Sequence, residues 1–356
     1  MISDVLNGKS FANARAVKRL VLPAGAQHGQ IYWRYAAGVV FYHLIALLAL
    51  VPDFFSWTGL LIAVLGVYVF GGLGINVCYH RLLTHRSFSC PKWLEHGLAV
   101  LGVCCMQDAP ARWVAIHRRH HHHSDEHPDP HSPLVTFFWA HMGWLMYENR
   151  DLDRMVAYQR YAKDILRDPF YKMLERNFAW IVLASWLVFF AMGFVAAALA
   201  GNSTPQSLRS AGLMLLWGVF VRTVLVWHIT WSVNSLSHFW GYRNYPTDDD
   251  SRNNAFVAFL TSGEGWHNNH HADPGSANCS HHWWEFDGIY WVIRGLARLG
   301  LASDIVERTP QRRKLKLARP AGVDDIESVG RLGSRLHSVR GKGQANGSSN
   351  ECDHFR

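Results

Sequence analysis

The sequence predicts an all-α integral membrane protein with four transmembrane helices arranged as two hairpins. Three observations predict it: four apolar stretches approach the roughly 20 residues that a bilayer crossing requires, they fall into two close pairs, and basic residues gather at one set of ends. The stretches lie near residues 36–51, 57–77, 178–200 and 213–231. Only residues 52–55 separate the first pair, and a polar loop around 201–210 separates the second, so both turns fall on one side. Those turns hold one basic residue, Arg209, whereas Lys18, Arg19, Arg34, Arg81, Arg86, Arg112, Arg118, Arg119 and Arg243 flank the other ends. The excess of cations places the termini and the long polar segments on the cytoplasmic side.

Composition agrees with this class. Of 356 residues, 49% are hydrophobic and 17% charged, the balance of a membrane protein with a substantial polar part. The net charge of +8 does not point to nucleic acid, because the cations are spread along polar stretches and concentrate from Arg308 onward. Six cysteines without a C-x-x-C pair, most of them in or beside apolar segments, argue against a disulfide framework or a thiolate metal site. The first thirty residues are basic and lack the apolar core of a signal peptide. Residues 1–34 therefore read as a cytosolic segment, 35–310 as the membrane domain and 311–356 as a basic tail expected to be disordered. The apolar run 94–106 is too short to span and is expected to be interfacial or re-entrant.

Histidine is the abnormal residue: 22 in all, eight of them between His117 and His141. Three clusters stand out, His80-Arg-Leu-Leu-Thr-His85, His117-Arg-Arg-His120-His121 and His267-Asn-Asn-His270-His271. The second and third share a spacing of i, i+3 and i+4, which sets three imidazoles on one helical face, converging on a single point. The i, i+5 spacing of His80 and His85 does not share a face in a regular helix, so these two could serve different metals. A fourth element, Asn234-Ser-Leu-Ser-His238, ends the last span and adds one carboxamide and one imidazole. A structural zinc site closes with four ligands, whereas nine histidines in four clusters supply two metals with positions left open for O2. Carboxylate-bridged di-iron bundles carry a pair of Glu-x-x-His motifs, and no such pair occurs, so an all-histidine di-iron centre is the better reading. His43 and His228, inside apolar stretches, read as satisfied interior histidines. His122, His123, His281 and His282 read as polar surface or supporting residues, and Trp283 and Trp284 as interfacial anchors.

These segments resemble the membrane fatty acyl desaturases of the stearoyl-CoA desaturase type, over roughly residues 71–301. The stretch from Gly72 to His80-Arg-Leu-Leu-Thr-His85-Arg-Ser-Phe is similar to the family's first histidine box. Trp113-Val-Ala-Ile-His117, followed by Ser124-Asp-Glu-His127-Pro-Asp129-Pro130-His131, resembles the second box and its Asp-Pro-His signature. Asn234-Ser-Leu-Ser-His238 matches the extra ligand segment, and Gly263-Glu-Gly-Trp-His267-Asn-Asn-His270-His271 the third box. The resemblance implies that His80, His85, His117, His120, His121, His238, His267, His270 and His271 ligate two irons, with Asn234 reaching one through a water. It implies a helical cytosolic cap over the membrane stem and an acyl tunnel inside the protein. After the third box, Ala272-Asp-Pro-Gly-Ser-Ala departs from the animal enzymes towards bacterial members, which leaves the acyl carrier open. No haem domain is fused, so electrons from NAD(P)H are expected through a ferredoxin-like or other small carrier and its reductase.

An unactivated methylene cannot be opened by acid-base chemistry, so the metals carry the hard step and the protein supplies position. The activity implied is O2-dependent insertion of a cis double bond, at the Δ9 position, into a long acyl chain carried as acyl-CoA. An acyl-lipid substrate and a related hydroxylase are the alternatives. Asp129 and Glu264 are expected to orient ligand imidazoles, while for Asp125 and Glu126 ordinary surface ion pairs stand as an equal alternative. Counting back from His80 in steps of four, Asn76, Gly72 and Tyr68 form a stripe expected to line the tunnel, with Tyr68 closing it. Helix packing is the competing account of that stripe.

Overall fold

A computed structural model describes residues 20–308, apart from 24 and 153. The expectations for the segment before Leu20 and for the tail from residue 309 lie outside the described residues. The described chain is mostly helical. A short antiparallel pair, β1 (Ala26–Ile31) and β2 (Tyr147–Asn149), aligns Ala26 with Asn149 and Ile31 with Tyr147. The helices that matter here are α1 (Trp33–Leu50), α2 (Trp57–Thr84), α3 (Lys92–Val103), α4 (Pro110–His123), α5 (Arg154–Tyr161) and α6 (Pro169–Arg176). They are followed by α7 (Phe178–Leu199), α8 (Thr204–Phe239), α9 (Ala255–Thr261), α10 (His267–Ala272) and α11 (Gly288–Arg298).

Four of these, α1, α2, α7 and α8, are long and apolar enough to cross a membrane. Their large side chains face outward as often as inward: Leu44, Leu47, Leu61, Leu65, Leu187, Val188 and Val195 are all exposed. Such surfaces are stable only against hydrocarbon. Two helices are longer than the apolar pattern alone predicts. α8 starts at Thr204 rather than near residue 213, because Gln206 Oε1 accepts the Ser203 N–H at 2.9 Å and closes the first turn over a polar stretch. α2 runs on to Thr84 because its turns widen from Val67 onward into an i→i+5 pattern, continued by His85 N–H donating to His80 O at 3.1 Å.

α7 packs along α8, and α1 and α2 pack against the central part of α8. The two connections meet at one end, where Arg209 donates to Asp53 O at 2.6 Å and Trp217 Nε1 to Phe54 O at 3.0 Å. α3 lies on α2 rather than apart from it. A Cβ at Gly74 would stand 2.4 Å from the Gly102 backbone nitrogen, so only glycine permits this crossing. One apolar core gathers Ile75, Leu82, Leu98, Val114, Leu174 and Ile293 between α2, α3, α4, α6 and α11. A second gathers Tyr42, Ala63, Trp217, Phe220, Trp227 and Trp231 within the spans. Between them these cores fix the ends of α2, α4 and α8, where the histidines stand.

Candidate metal centre

All nine histidines expected as ligands are brought together, in two groups. One holds His80, His85, His117, His121 and His270, and the other His120, His238, His267 and His271, with the nitrogens of each group within 4.8 Å of one another. His121 and His271 join the groups, their rings 4.7 Å apart.

Two spacings behave differently from a regular-helix reading. The widened end of α2 turns less per residue, so residues five apart come into register and His80 and His85 face the same point, rings 4.8 Å apart. They belong to one group, not two. The H-x-x-H-H boxes do not converge on a single point. At about 100° per residue, i+4 lies about 40° to one side of i and i+3 about 60° to the other. Accordingly His117 and His121 enter the first group while His120 enters the second. In the third box, His267 and His271 enter the second group and His270 the first. Each box is a bridge between two sites.

The donor chemistry fits metal ions. Nε2 atoms face one another at 3.1 Å between His80 and His270, 3.1 Å between His117 and His121, 3.0 Å between His121 and His270, and 3.2 Å between His238 and His267. The buried Nε2 atoms of His85, His120 and His271 have no protein partner. Burial, reinforced by neighbouring imidazoles, holds His85, His117, His121, His267 and His270 well below the usual histidine range, so these rings are neutral. Converging neutral lone pairs without donors are satisfied by a cation.

The other ring nitrogen of four of these histidines meets a carboxylate, which fixes the tautomer and makes the facing nitrogen more basic. Glu264 lies 2.7 Å from His80 Nδ1 and is itself held by the fully buried Arg81, whose Nε donates to it at 3.0 Å. Asp129 meets His120 Nδ1 with both oxygens at 3.0 Å. Asp125 takes His238 Nδ1 at 3.1 Å and the Asp250 backbone N–H at 2.7 Å. Asp249 lies 2.5 Å from His271 Nδ1. Burial pushes the Asp129 and Asp249 carboxyls up, but the histidine beside each outweighs it and holds both well below the usual range. Glu126, by contrast, makes a surface contact with His123 at 3.3 Å. Asp249 was not legible as a site residue: it sits in the run Asp248–Asp250, far in sequence from any box, and only the position of that run between His238 and His267 hints at it.

His122, His123, His281 and His282 stand outside both groups, and Trp283 and Trp284 are exposed. His43 and His228 bond each other at 2.9 Å, and His228 also meets His141 at 2.9 Å, as interior histidines with partners should.

A cavity of about 470 Å³ opens onto both groups, reaching His80 and His117 of one and His267 of the other. Its walls are mainly apolar, with Val39, Ile75, Trp113, Trp227 and Trp231 among them, and Asn234 lines it beside the histidines. Of the tunnel stripe, Asn76 lines the cavity, while Gly72 is buried beneath Ile289 and Tyr68, 42% exposed, faces outward. The widened turns of α2 explain this, since they bring Ile75, five residues before His80, onto the cavity side next to Asn76 and carry the further steps of four, Gly72 and Tyr68, away from it.

Comparison with known proteins agrees with the site. Residues 54–304 match the family model described as fatty acid desaturase. The chain is 39% identical over 292 residues to an sn-2 palmitoyl-lipid 9-desaturase of Nostoc sp., covering 82% of this chain and 96% of that protein. It is 43% identical over 263 residues to an sn-1 stearoyl-lipid 9-desaturase of Synechocystis sp., covering 74% and 76% respectively. It is also 38% identical over 264 residues to an acyl-CoA C20 Δ5-desaturase of Anemone leveillei, covering 74% and 78%. With two histidine groups at the ends of apolar helices and a family match over most of its length, this chain belongs to the fatty acid desaturases.

Proposed function

We propose that this protein is an integral membrane acyl-lipid 9-desaturase, in which the nine histidines hold two irons and a lipid acyl chain enters the cavity between them. The observation that carries this reading is the apolar cavity reaching both histidine groups. The relatives named as lipid 9-desaturases favour an acyl-lipid over the acyl-CoA expected from sequence, and favour the Δ9 position. α1 with α2, and α7 with α8, form the two membrane hairpins. The ends bearing the histidines, together with α4, α9 and α10, form a cap on the cytoplasmic side.

When bound and reduced, the irons supply O2 activation and removal of two hydrogens from neighbouring carbons. The protein's own residues do the rest. Glu264, Asp129, Asp125 and Asp249 keep a proton on Nδ1 of His80, His120, His238 and His271, so that each Nε2 lone pair points inward. Asn234, which lines the same cavity, would hold a water towards one metal. Ile75, Trp113, Trp227 and Trp231 exclude water from an extended chain and fix which carbons face the histidines. Electrons arrive from NAD(P)H through a separate small carrier protein.

The test is product analysis with purified, iron-loaded protein in vesicles of distearoyl glycerolipid, given O2 and a reducing system. A cis-9 alkene in the intact lipid supports the reading. A hydroxy acid as the main product, or conversion of stearoyl-CoA alone, refutes it.

A further inference from the structure

The far end of the cavity is chemically unlike its inner part. It is lined by Tyr32, Arg34 and Tyr35 at the start of α1, by Asp108 before α4, and by Glu175 and Arg176 at the end of α6. These positions lie where α1 and α7 begin, at the level where a membrane helix meets headgroups. The two carboxylates of this rim are engaged within the protein. Asp108 accepts from the Tyr35 hydroxyl and from Arg112 Nε, the latter at 3.2 Å. Glu175 accepts the Ala111 N–H at 2.9 Å and the Tyr158 hydroxyl at 2.7 Å. The two arginine side chains are not engaged: Arg34 and Arg176 are both exposed, and neither guanidinium has a hydrogen bond or ion pair among the described residues. Other arginines nearby are spoken for, Arg112 by Asp108 and Arg119 by Asp151.

Arg34, Arg176 and Arg112 face Asp108 and Glu175 here, a balance of one positive charge, and the two guanidinium groups without a protein partner stand exposed at the end of an apolar bore. Guanidinium binds phosphate through paired, charge-assisted hydrogen bonds. We propose that Arg34 and Arg176 bind the phosphate of a glycerophospholipid whose acyl chain lies in the cavity, so that the headgroup anchors at the rim and sets how far the chain enters. This rests on the acyl-lipid reading above and adds the headgroup class to it: phosphate-bearing lipids are preferred over neutral diacylglycerols and galactolipids. Coenzyme A also carries phosphate, and the experiment separates the two sources.

Iron-loaded protein in nanodiscs is assayed on distearoyl-phosphatidylglycerol, on distearoylglycerol and on stearoyl-CoA, as the parent, as the double variant Arg34→Gln with Arg176→Gln, and as the corresponding double Lys variant. The parent is expected to favour the phospholipid over the neutral lipid in kcat/KM. The Gln variant is expected to reduce that ratio about tenfold or more, through KM rather than kcat, at unchanged iron content, and the Lys variant to recover part of it. A parent without preference, or a Gln variant that keeps the parent's ratio, overturns the proposal. A KM rise confined to stearoyl-CoA overturns it too, assigning the rim to coenzyme A. If the parent converts stearoyl-CoA and neither lipid, the acyl-lipid reading itself fails, which is a distinct result. A Gln variant that loses iron is replaced by the two single variants, judged by the same ratio.

Discussion

Asp249 Oδ2 stands 2.5 Å from His271 Nδ1, so a carboxylate from the loop before α9 buttresses an imidazole of the third histidine box. Replacing Asp249 by Asn removes the charge that makes the facing nitrogen basic while keeping side-chain size. Asp249→Asn is expected to lower metal affinity at the four-histidine group by about 10–100-fold. Competitive chelation, following release of the two irons separately, measures it. Equal weakening of both sites contradicts the assignment of His271 to one group.

The split of each H-x-x-H-H box makes a second prediction. His120→Ala is expected to weaken the four-histidine site and His121→Ala the five-histidine site, although the residues are adjacent. His122→Ala and His123→Ala, outside both groups, are expected to keep both metals and most activity. Metal content of the four variants decides the matter, and identical patterns for His120→Ala and His121→Ala would speak against a two-site bridge.

Chain length offers a third. Gly38 lines the cavity, and a Cβ there would meet nothing within 4 Å, so a side chain can start from this position without a clash at Cβ. Gly38→Phe is expected to fill part of the bore and shift preference to shorter acyl chains, whereas Tyr68→Ala, on the outward face, leaves the length profile as it was. Competition between C14, C16 and C18 substrates reads the outcome. A length shift in Tyr68→Ala alone would move the tunnel to the other side of α2.

How far the site was readable varies with the distance over which its geometry is set. The three histidine boxes are local patterns, and all nine histidines of the two groups follow from them together with the extra segment at His238. The widened turns of α2 are not local in that sense. They show only in packing, and they explain why His80 and His85 share a group and why Tyr68 leaves the cavity. Asp249 reaches His271 through a loop, and its acidic neighbours Asp248 and Asp250 disguise it as ordinary solvated charge. The four spans were readable from apolar length, while the start of α8 depended on a cap inside a polar stretch.

A fourth prediction concerns acid stability. Arg118 ties the end of α2 to α4, donating to Leu83 O at 2.8 Å, to Thr84 O at 3.2 Å and to Asp164 at 2.7 Å. Burial raises the Asp164 carboxyl, but hydrogen bonds and charge from Arg118 and Arg86 outweigh it and draw it down to about 2. A carboxyl lowered on folding stabilises the fold above its unfolded value near ~3.9, and that contribution is lost as pH falls through about 2. With Asp164 39% exposed, solvent screening limits it to ~1 kcal/mol. Asp164→Asn is expected to be less stable than the parent by that amount at pH 7 and to converge with it as the pH is lowered. Denaturant unfolding in detergent at several pH values tests this, and a gap that stays constant with pH contradicts it.

The most direct test of the account is the count of iron per folded chain, taken by elemental analysis with Mössbauer spectroscopy on protein loaded with 57Fe. Two irons per chain are expected, falling to one when His120 and His267, both from the four-histidine group, are replaced by Ala. A single iron in the parent, or active protein that holds only zinc, would contradict the assignment of the nine histidines to two iron sites.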